Sequence, residues 1–139
     1  MNQAEWQKIA KEKLHAAEVL LDAGEWASAY YLAGYAVECG LKSCIIARLV
    51  KAPHLIFEEN QKKYSENCWT HNVGQLLDLA GLKEALDAAN DTLTLHWMCV
   101  KEWNEQSRYK GKNENDARSL YNAITDATNG VMTWLRTYW

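Results

Sequence analysis

Apolar residues recur at helical spacing along most of the chain, and this pattern predicts a protein built from about five helices. The helix predicted over residues 25–51 is apolar on two faces, so its neighbours have to cover it on more than one side. The expected fold is all-α, an up-and-down helical bundle of four to five helices in which residues 1–139 form a single domain. The predicted helices cover residues 3–23, 25–51, 71–80 and 82–106, and a last helix begins near residue 115 and runs almost to the C-terminus.

Capping and helix-breaking residues set the expected helix ends. Asn2, followed by Glu5 three residues later, has the pattern of a capping box at the start of the first helix. Pro53 lacks the amide that a helix needs to continue, so the central helix is expected to stop at Lys51. Residues 52–69 become polar and charge-rich, which predicts a long, mobile connection with one short helical turn. The predicted N-caps of the third and last helices are Thr70 and Asn115.

One face of the central helix is polar and aromatic. Its side chains stand at steps of four, three and four residues, which places them in a single stripe. The stripe consists of Tyr31, Tyr35, Glu38 and Lys42. One interpretation is a Glu38–Lys42 pair at the rim of the bundle, with the tyrosine hydroxyls in water. The other is that the stripe lines a binding cleft or a dimer interface, and the sequence leaves both open.

Charge and hydropathy exclude two classes of function. The 15 Lys and Arg residues and 18 Asp and Glu residues give a formal net charge of -3, so no overall positive field attracts duplex DNA or an anionic membrane. Any contact with nucleic acid is therefore expected to be local. No apolar run reaches the ~20 residues of a membrane span, and residues 1–13 lack the apolar core of a signal peptide. We expect a cytoplasmic protein without membrane contact.

Cysteine and histidine positions give no sign of a metal site. The cysteines form no CxxC pair and have no histidine at ligand spacing, so we expect reduced core thiols, no metal and no cofactor. His15 and His96 fall on or beside apolar stripes and are interpreted as hydrogen-bonded core or boundary residues. The cysteines are Cys39, Cys44, Cys68 and Cys99.

Two polar stretches are candidates for binding. His71 lies in the predicted first turn of the third helix, where the helix dipole disfavours a positive imidazole and leaves it able to accept a proton or bind a polar group. The alternative is a turn or capping histidine. Residues 107–113 suit an anion or a phosphodiester at the start of the following helix, with a solvated basic loop as the alternative. The candidates in this loop are Arg108, Tyr109, Lys110 and Lys112.

Three blocks of sequence, in this order, resemble the HEPN family, the higher-eukaryote and prokaryote nucleotide-binding domains. They are AxxLLxAGxWxSAYYLAGYAVECxLK in the first two helices, THxxxxLLxLAG at the third, and SRY before a final helix that ends in WL. The resemblance implies a bundle of four or five helices, often a dimer, and frequently encoded beside a nucleotidyltransferase. It also implies relatives that act as metal-independent RNases in toxin–antitoxin and defence systems.

The catalytic signature of active HEPN members is an arginine and a histidine separated by four to six residues, just before the last helix. Arg108 corresponds to that arginine, but positions 113–115 hold Asn, Glu and Asn. The motif is incomplete, so the resemblance implies a module that binds a nucleotide, RNA or a protein partner, with whether it is an enzyme left open. The alternatives are a metal-independent endoribonuclease in which His71 replaces the missing histidine, and a structural helical adaptor. The expected partners are a second copy of the chain, a nucleotidyltransferase, and RNA or a nucleotide.

Overall fold

The protein is all-helical in the computed structural model, which describes residues 1–57 and 68–139; no strand occurs among those residues. The predicted fold class is confirmed. The α-helices are α1 (Gln3–Asp22), α2 (Trp26–Lys51), α3 (Val73–Leu79), α4 (Lys83–Asp87), α5 (Asp91–Lys101), α6 (Glu114–Thr125) and α7 (Val131–Leu135). A first 3₁₀ helix, Pro53–Phe57, follows α2, and a second, Glu105–Tyr109, follows α5.

The hairpin of α1 and α2 begins and turns as the sequence predicts. The Glu5 amide donates to Asn2 Oδ1 at 2.8 Å, and the Asn2 amide donates to Glu5 Oε2 at 2.8 Å, which completes the capping box. Gly24 has a φ of +76°, a left-handed conformation that glycine adopts without a steric penalty, and it reverses the chain between the two helices. These local signals therefore position α1 antiparallel to α2.

The centre of the bundle is α2. Its buried residues occur on nearly all sides, and α1, α3, α6, α7 and both 3₁₀ helices contact it. It ends at Lys51, as Pro53 predicts. The C-terminal segment is also tied to the hairpin, because the carbonyl oxygen of Trp139 accepts hydrogen bonds from Gln3, from Gln7 Nε2 at 2.7 Å and from Ser43 Oγ at 3.2 Å.

The prediction of one long fourth helix over residues 82–106 is wrong. The structure has two helices there, α4 and α5, and the second 3₁₀ helix. The helical segment is interrupted at Asn90. The side-chain oxygen of Asn90 accepts a hydrogen bond from the Leu93 amide at 2.9 Å, and this cap starts α5 as a separate helix. The apolar spacing continues in register across this break, which is why periodicity alone predicted one helix.

The predicted last helix is also divided. It starts from Asn113 rather than Asn115, with reciprocal hydrogen bonds to Asp116 of 2.8 and 3.1 Å. Asp126 then separates α6 from α7, since its side-chain oxygen accepts from the Asn129 amide at 2.7 Å and from the Thr128 amide at 3.3 Å.

The connection between α2 and α3 agrees with the prediction only in part. The first 3₁₀ helix supplies the expected short turn, whereas residues 58–67, on which the predicted mobility mainly falls, lie outside the described residues. The cap of α3 is Asn72, whose side-chain oxygen accepts from the Gln75 amide at 3.0 Å. Thr70, the predicted cap, instead accepts from the Asn72 amide at 3.1 Å. In the described part of the chain, no helix is long and apolar enough to cross a membrane.

Candidate functional site

The polar stripe on α2 contains a buried ion pair. Glu38 is 0% exposed and Lys42 is 8% exposed, and Lys42 Nζ lies 3.8 Å from Glu38 Oε2. The interpretation of this pair as a solvated rim contact is therefore wrong: tertiary packing has enclosed both charges. Neither side chain is free to approach a large ligand. The two residues can therefore influence the binding of such a ligand only through the groups that surround them.

His71 joins α2 to the second 3₁₀ helix. Its Nδ1 lies 2.5 Å from Glu38 Oε1, and its Nε2 lies 3.3 Å from Glu105 Oε2. Two ionised carboxylates can both accept hydrogen bonds from an imidazole only when the ring carries two protons. The histidine side chain stays 47% exposed, which leaves one side of it open to solvent.

The environment of His71 differs from the one that the sequence predicted. The residue precedes Asn72, the cap of α3, and so it is not in the first turn of a helix. The argument from the helix dipole does not apply to it. Instead, two carboxylates, those of Glu38 and Glu105, reach its ring from different segments of the chain.

Glu38 is the most constrained charge of this cluster. Burial raises the pKa of its carboxyl, against the lowering effects of the Lys42 ammonium and the His71 hydrogen bond. Its Oε1 contacts His71, while its Oε2 has no hydrogen-bond partner among the described residues and only the longer contact to Lys42. Desolvation of the carboxyl group therefore outweighs the effects of Lys42 and His71 on its pKa.

A polar cavity of about 400 Å³ opens beside His71. Its size falls within the range of small-molecule sites. Amide, hydroxyl, carboxylate and ammonium groups face it, so it offers both donors and acceptors to a polar ligand. Its lining includes Thr70, His71, Lys101, Asn104, Glu105 and Gln106.

Arg108 lies in an aromatic environment at the N-terminal half of α2. Its Cζ is 4.6 Å from the ring centroid of Tyr109, which is 73% exposed. Arg108 also lines a small cavity of about 230 Å³ together with Tyr31. The Tyr31 ring is nearly parallel to that of Tyr35, at 9° and 6.3 Å between centroids, and lies 6.0 Å from Trp103.

The basic residues of the predicted loop do not converge. Lys112 Nζ lies 4.5 Å from the centroid of the Tyr30 ring, Lys110 is exposed, and Arg108 contacts Tyr109. The start of α6 is already capped by Asn113 and carries two acidic residues, Glu114 and Asp116, in its first turn. One amide of this helix start, that of Asp116, is therefore bonded within the chain, and the two carboxylates oppose an anion there, so the contribution of the helix start to an anion site stays a prediction.

Arg108 and His71 contact different turns of α2. Arg108 lies beside Tyr31, and His71 lies against Glu38, seven residues further along. At 1.5 Å per residue, these turns are separated by about 10 Å. The structure thus arranges the candidates in two neighbouring groups rather than around one point.

Two residues of the site were missed from the sequence. Glu105 was predicted only as part of the end of a long helix, and Trp103 was not among the predicted site residues. A signal was present in Gly34, since a glycine inside a buried helix indicates close approach of a large group. The pyrrole ring of Trp103 lies directly on Gly34, in a space that a Cβ atom would need.

Other predicted features have structural explanations. His96 Nδ1 lies 2.8 Å from the carbonyl oxygen of Asn129, as expected of a boundary histidine. Cys39 and Cys44 are buried, and burial raises the pKa of each thiol to about 12. In the described ranges, no three His, Cys, Asp or Glu side chains are close enough together to hold a metal ion.

Comparison with known families bears on the first two helices. Residues 3–55 match the family model described as HEPN domain, and this range supplies Tyr31, Glu38 and Lys42 to the site. No curated protein and no solved structure gives a significant match to the chain. The resemblance seen in the sequence is therefore confirmed over residues 3–55, which are similar to the HEPN domain.

Proposed function

We propose that residues 1–139 act as one HEPN-like domain that binds a nucleotide or a short single-stranded RNA. The observation that carries the proposal is the exposed pairing of Arg108 with Tyr109, next to Tyr31 on α2. Planar guanidinium and phenol groups at one place suit a phosphate together with an unstacked base. The polar cavity at His71, about two helical turns of α2 further along, would receive the remainder of such a ligand.

Local binding agrees with the charge of the whole chain. A net charge of -3 gives no general attraction for a polyanion, so contacts have to come from single cations and aromatic faces. Stacking on aromatic side chains contributes roughly 1 to 3 kcal/mol per base and tolerates many sequences. We therefore infer a preference for single strands or free nucleotides over duplexes.

The test compares two arginines in similar surroundings. Arg136 also lies over an aromatic ring, with its Cζ 5.8 Å from the Trp139 centroid, but it is on α7's C-terminal side, away from the proposed surface. Anisotropy of a labelled short RNA should show that Arg108→Ala weakens binding by about 10-fold or more, since a charge-assisted hydrogen bond contributes roughly 1.5 to 3 kcal/mol. The salt dependence should become shallower. Arg136→Ala should bind as the wild type does; equal affinity of all three proteins would contradict the proposal.

A second candidate function, a metal-independent endoribonuclease, is favoured by the Glu38–His71 contact. A buried carboxylate 2.5 Å from Nδ1 fixes the orientation of the imidazole, as in the dyads of general-base catalysis. In its neutral form, His71 would take the proton of a 2′-hydroxyl through Nε2 while the 2′-oxygen attacks phosphorus and the bond to the 5′-oxygen breaks, which gives a 2′,3′-cyclic phosphate and a 5′-hydroxyl that takes its proton from water. Arg108 would stabilise the charge that develops on phosphate.

The separation of about 10 Å between the turns of α2 that contact Arg108 and His71 makes cleavage the weaker of the two proposals. A labelled RNA in excess chelator decides between them. Cleavage by the wild type that is lost in both His71→Ala and Arg108→Ala, but kept in His15→Ala, a substitution of an exposed residue of α1, would establish the endoribonuclease. Binding of the RNA without cleavage would favour the binding module. Absence of both binding and cleavage would favour the structural adaptor.

We also propose that the domain assembles with protein partners, as a homodimer and with a nucleotidyltransferase in a toxin–antitoxin or defence pair. Exposed apolar side chains support an interface, among them Val50, Leu95 and Met98. Co-purification with the product of an adjacent nucleotidyltransferase gene would test the pairing. Absence of such a gene and of any stable complex would contradict it.

A further inference from the structure

A second cavity lies on the other side of Lys42. It has a volume of about 230 Å³, and none of its described lining residues belongs to the polar cavity beside His71. Apart from the ammonium of Lys42 and the sulfur-containing side chains of Met1 and Cys68, the described side chains that line it are aliphatic or aromatic. The lining includes Trp6, Lys42, Ile45, Ile46, Leu49 and Trp69.

The Lys42 ammonium is held at the wall of this cavity without a hydrogen bond to any described residue. Its Nζ lies 3.8 Å from Glu38 Oε2, beyond hydrogen-bond distance, and 5.0 Å from the centroid of the Trp6 ring, which lines the same cavity. With its side chain 10% exposed, this lysine has lost nearly all of its water contact. A buried ammonium with three donors favours an acceptor that can reach it through the cavity.

We propose that this cavity binds a small organic monocarboxylate with an apolar body, whose carboxylate contacts Lys42 and whose body lies between Trp6 and Trp69. The volume is slightly below the usual range for ligand sites, which fits a single ring with a short chain. Trp69 is 77% exposed, so it can move to cover a ligand without loss of core packing.

The charge of the site favours a carboxylate over a phosphate. Lys42 carries the one charged side chain among the described lining residues, and the carboxylate of Glu38 is only 3.8 Å from its Nζ. A dianionic phosphate would meet apolar walls and a nearby negative charge after losing strong hydration. A monocarboxylate carries one charge to one ammonium and buries the rest of its surface against apolar side chains. This cavity is therefore distinct in chemistry from the nucleotide surface proposed above.

The experiment uses 4-phenylbutyrate and its neutral analogue 4-phenylbutan-1-ol, titrated by calorimetry into the full chain. We expect the carboxylate to bind about 10-fold or more tightly than the alcohol, because its hydrogen bonds to the ammonium are charge-assisted. Lys42→Met keeps the side-chain volume and should remove this preference. Ile46→Trp, at a half-buried position, should fill the cavity and abolish binding of both probes.

Lys8→Met is the matched control. Lys8 also pairs with a glutamate one helical turn away, at 3.9 Å from Glu12, but both side chains are exposed. It should bind the probes as the wild type does. Equal affinity for the two probes, binding that survives in Ile46→Trp, or no saturable binding up to about 5 mM would each overturn the proposal. Should Lys42→Met fail to fold, the comparison of the two probes and the Ile46→Trp variant still decide it.

Discussion

Substituting alanine for Gly34 should destabilise the protein, although alanine is the better helix former. Gly34 lies inside α2, and a Cβ atom there would overlap the pyrrole ring of Trp103. The indole is rigid and buried, so it cannot move aside by rotating a terminal group. Trp103 also connects α5 to the 3₁₀ helix that carries Glu105 and Arg108, and its displacement would shift both site residues.

The magnitude follows from a comparison with Gly40 in the same helix. A Cβ atom at Gly40 would lie 3.2 Å from Sδ and 3.4 Å from Cε of Met132, a flexible side chain that can adjust. Replacing either glycine by alanine gains about 1 kcal/mol of helix propensity. Gly40→Ala should keep most of that gain, whereas overpacking at Gly34 costs about 3 kcal/mol. The two variants should therefore differ by roughly 2 to 3 kcal/mol, with Gly34→Ala about 2 kcal/mol less stable than the wild type.

Urea unfolding of the three proteins, followed by circular dichroism, measures these differences as shifts of the midpoint at unchanged slope. The near-ultraviolet signal of the tryptophans should also change in Gly34→Ala and stay unchanged in Gly40→Ala. Equal stability of the two variants within about 0.5 kcal/mol would refute the reasoning, because it would mean that Trp103 does not occupy the space above Gly34.

The remaining predictions concern packing, capping, protonation and assembly. Gly40→Leu should lower stability by about 1 to 3 kcal/mol, since its larger side chain would press on Met132 and Leu135; an unchanged thermal melt would contradict this. Asn113→Ala should cost about 1 kcal/mol of unfolding free energy through loss of the capping box, and no change in the urea midpoint would contradict it. Burial raises the pKa of Glu38 in the folded protein above the ordinary value of 4.5, so the folded state binds that proton more tightly than the unfolded state does. The stabilisation is present below pH 4.5 and is lost as the pH rises through the raised pKa of Glu38. In urea unfolding, the wild type should therefore lose stability relative to Glu38→Gln over that pH range. A difference in stability between the two proteins that does not vary with pH would count against this prediction. Light scattering at micromolar concentration should give the mass of a homodimer, and a monomer mass that persists as concentration rises would exclude it.

Local sequence signals were sufficient to predict the first half of the fold. The capping box of Asn2, the reversal at Gly24 and the stop before Pro53 each depend on residues within a few positions of one another. The same kind of signal existed at Asn90 and Asp126, where the predicted long helices are broken. At both positions the apolar residues before and after the break keep the same helical spacing. This spacing therefore predicted a continuous helix, although turn-forming residues were present.

The candidate site was predictable only where one helix supplies it. Helical spacing alone places Tyr31, Glu38 and Lys42 on one face of α2. It does not show that the face is covered, nor that His71 reaches Glu38 from 33 positions away along the chain. Glu105 depends on the end of α5 and on the docking of Trp103, which are tertiary properties. Hence the burial of the Glu38–Lys42 pair could not be derived from sequence.

The position of Glu38 explains how an apolar central helix tolerates a charge. Its two oxygens face different residues, since Oε1 contacts His71, which lines the polar cavity, and Oε2 lies near Lys42, which lines the apolar cavity. A buried carboxylate with one partner removed is strongly destabilising, so loss of either contact should lower the stability of the fold. Glu38 therefore depends on one residue that lines the apolar cavity, Lys42, and on one that lines the polar cavity, His71.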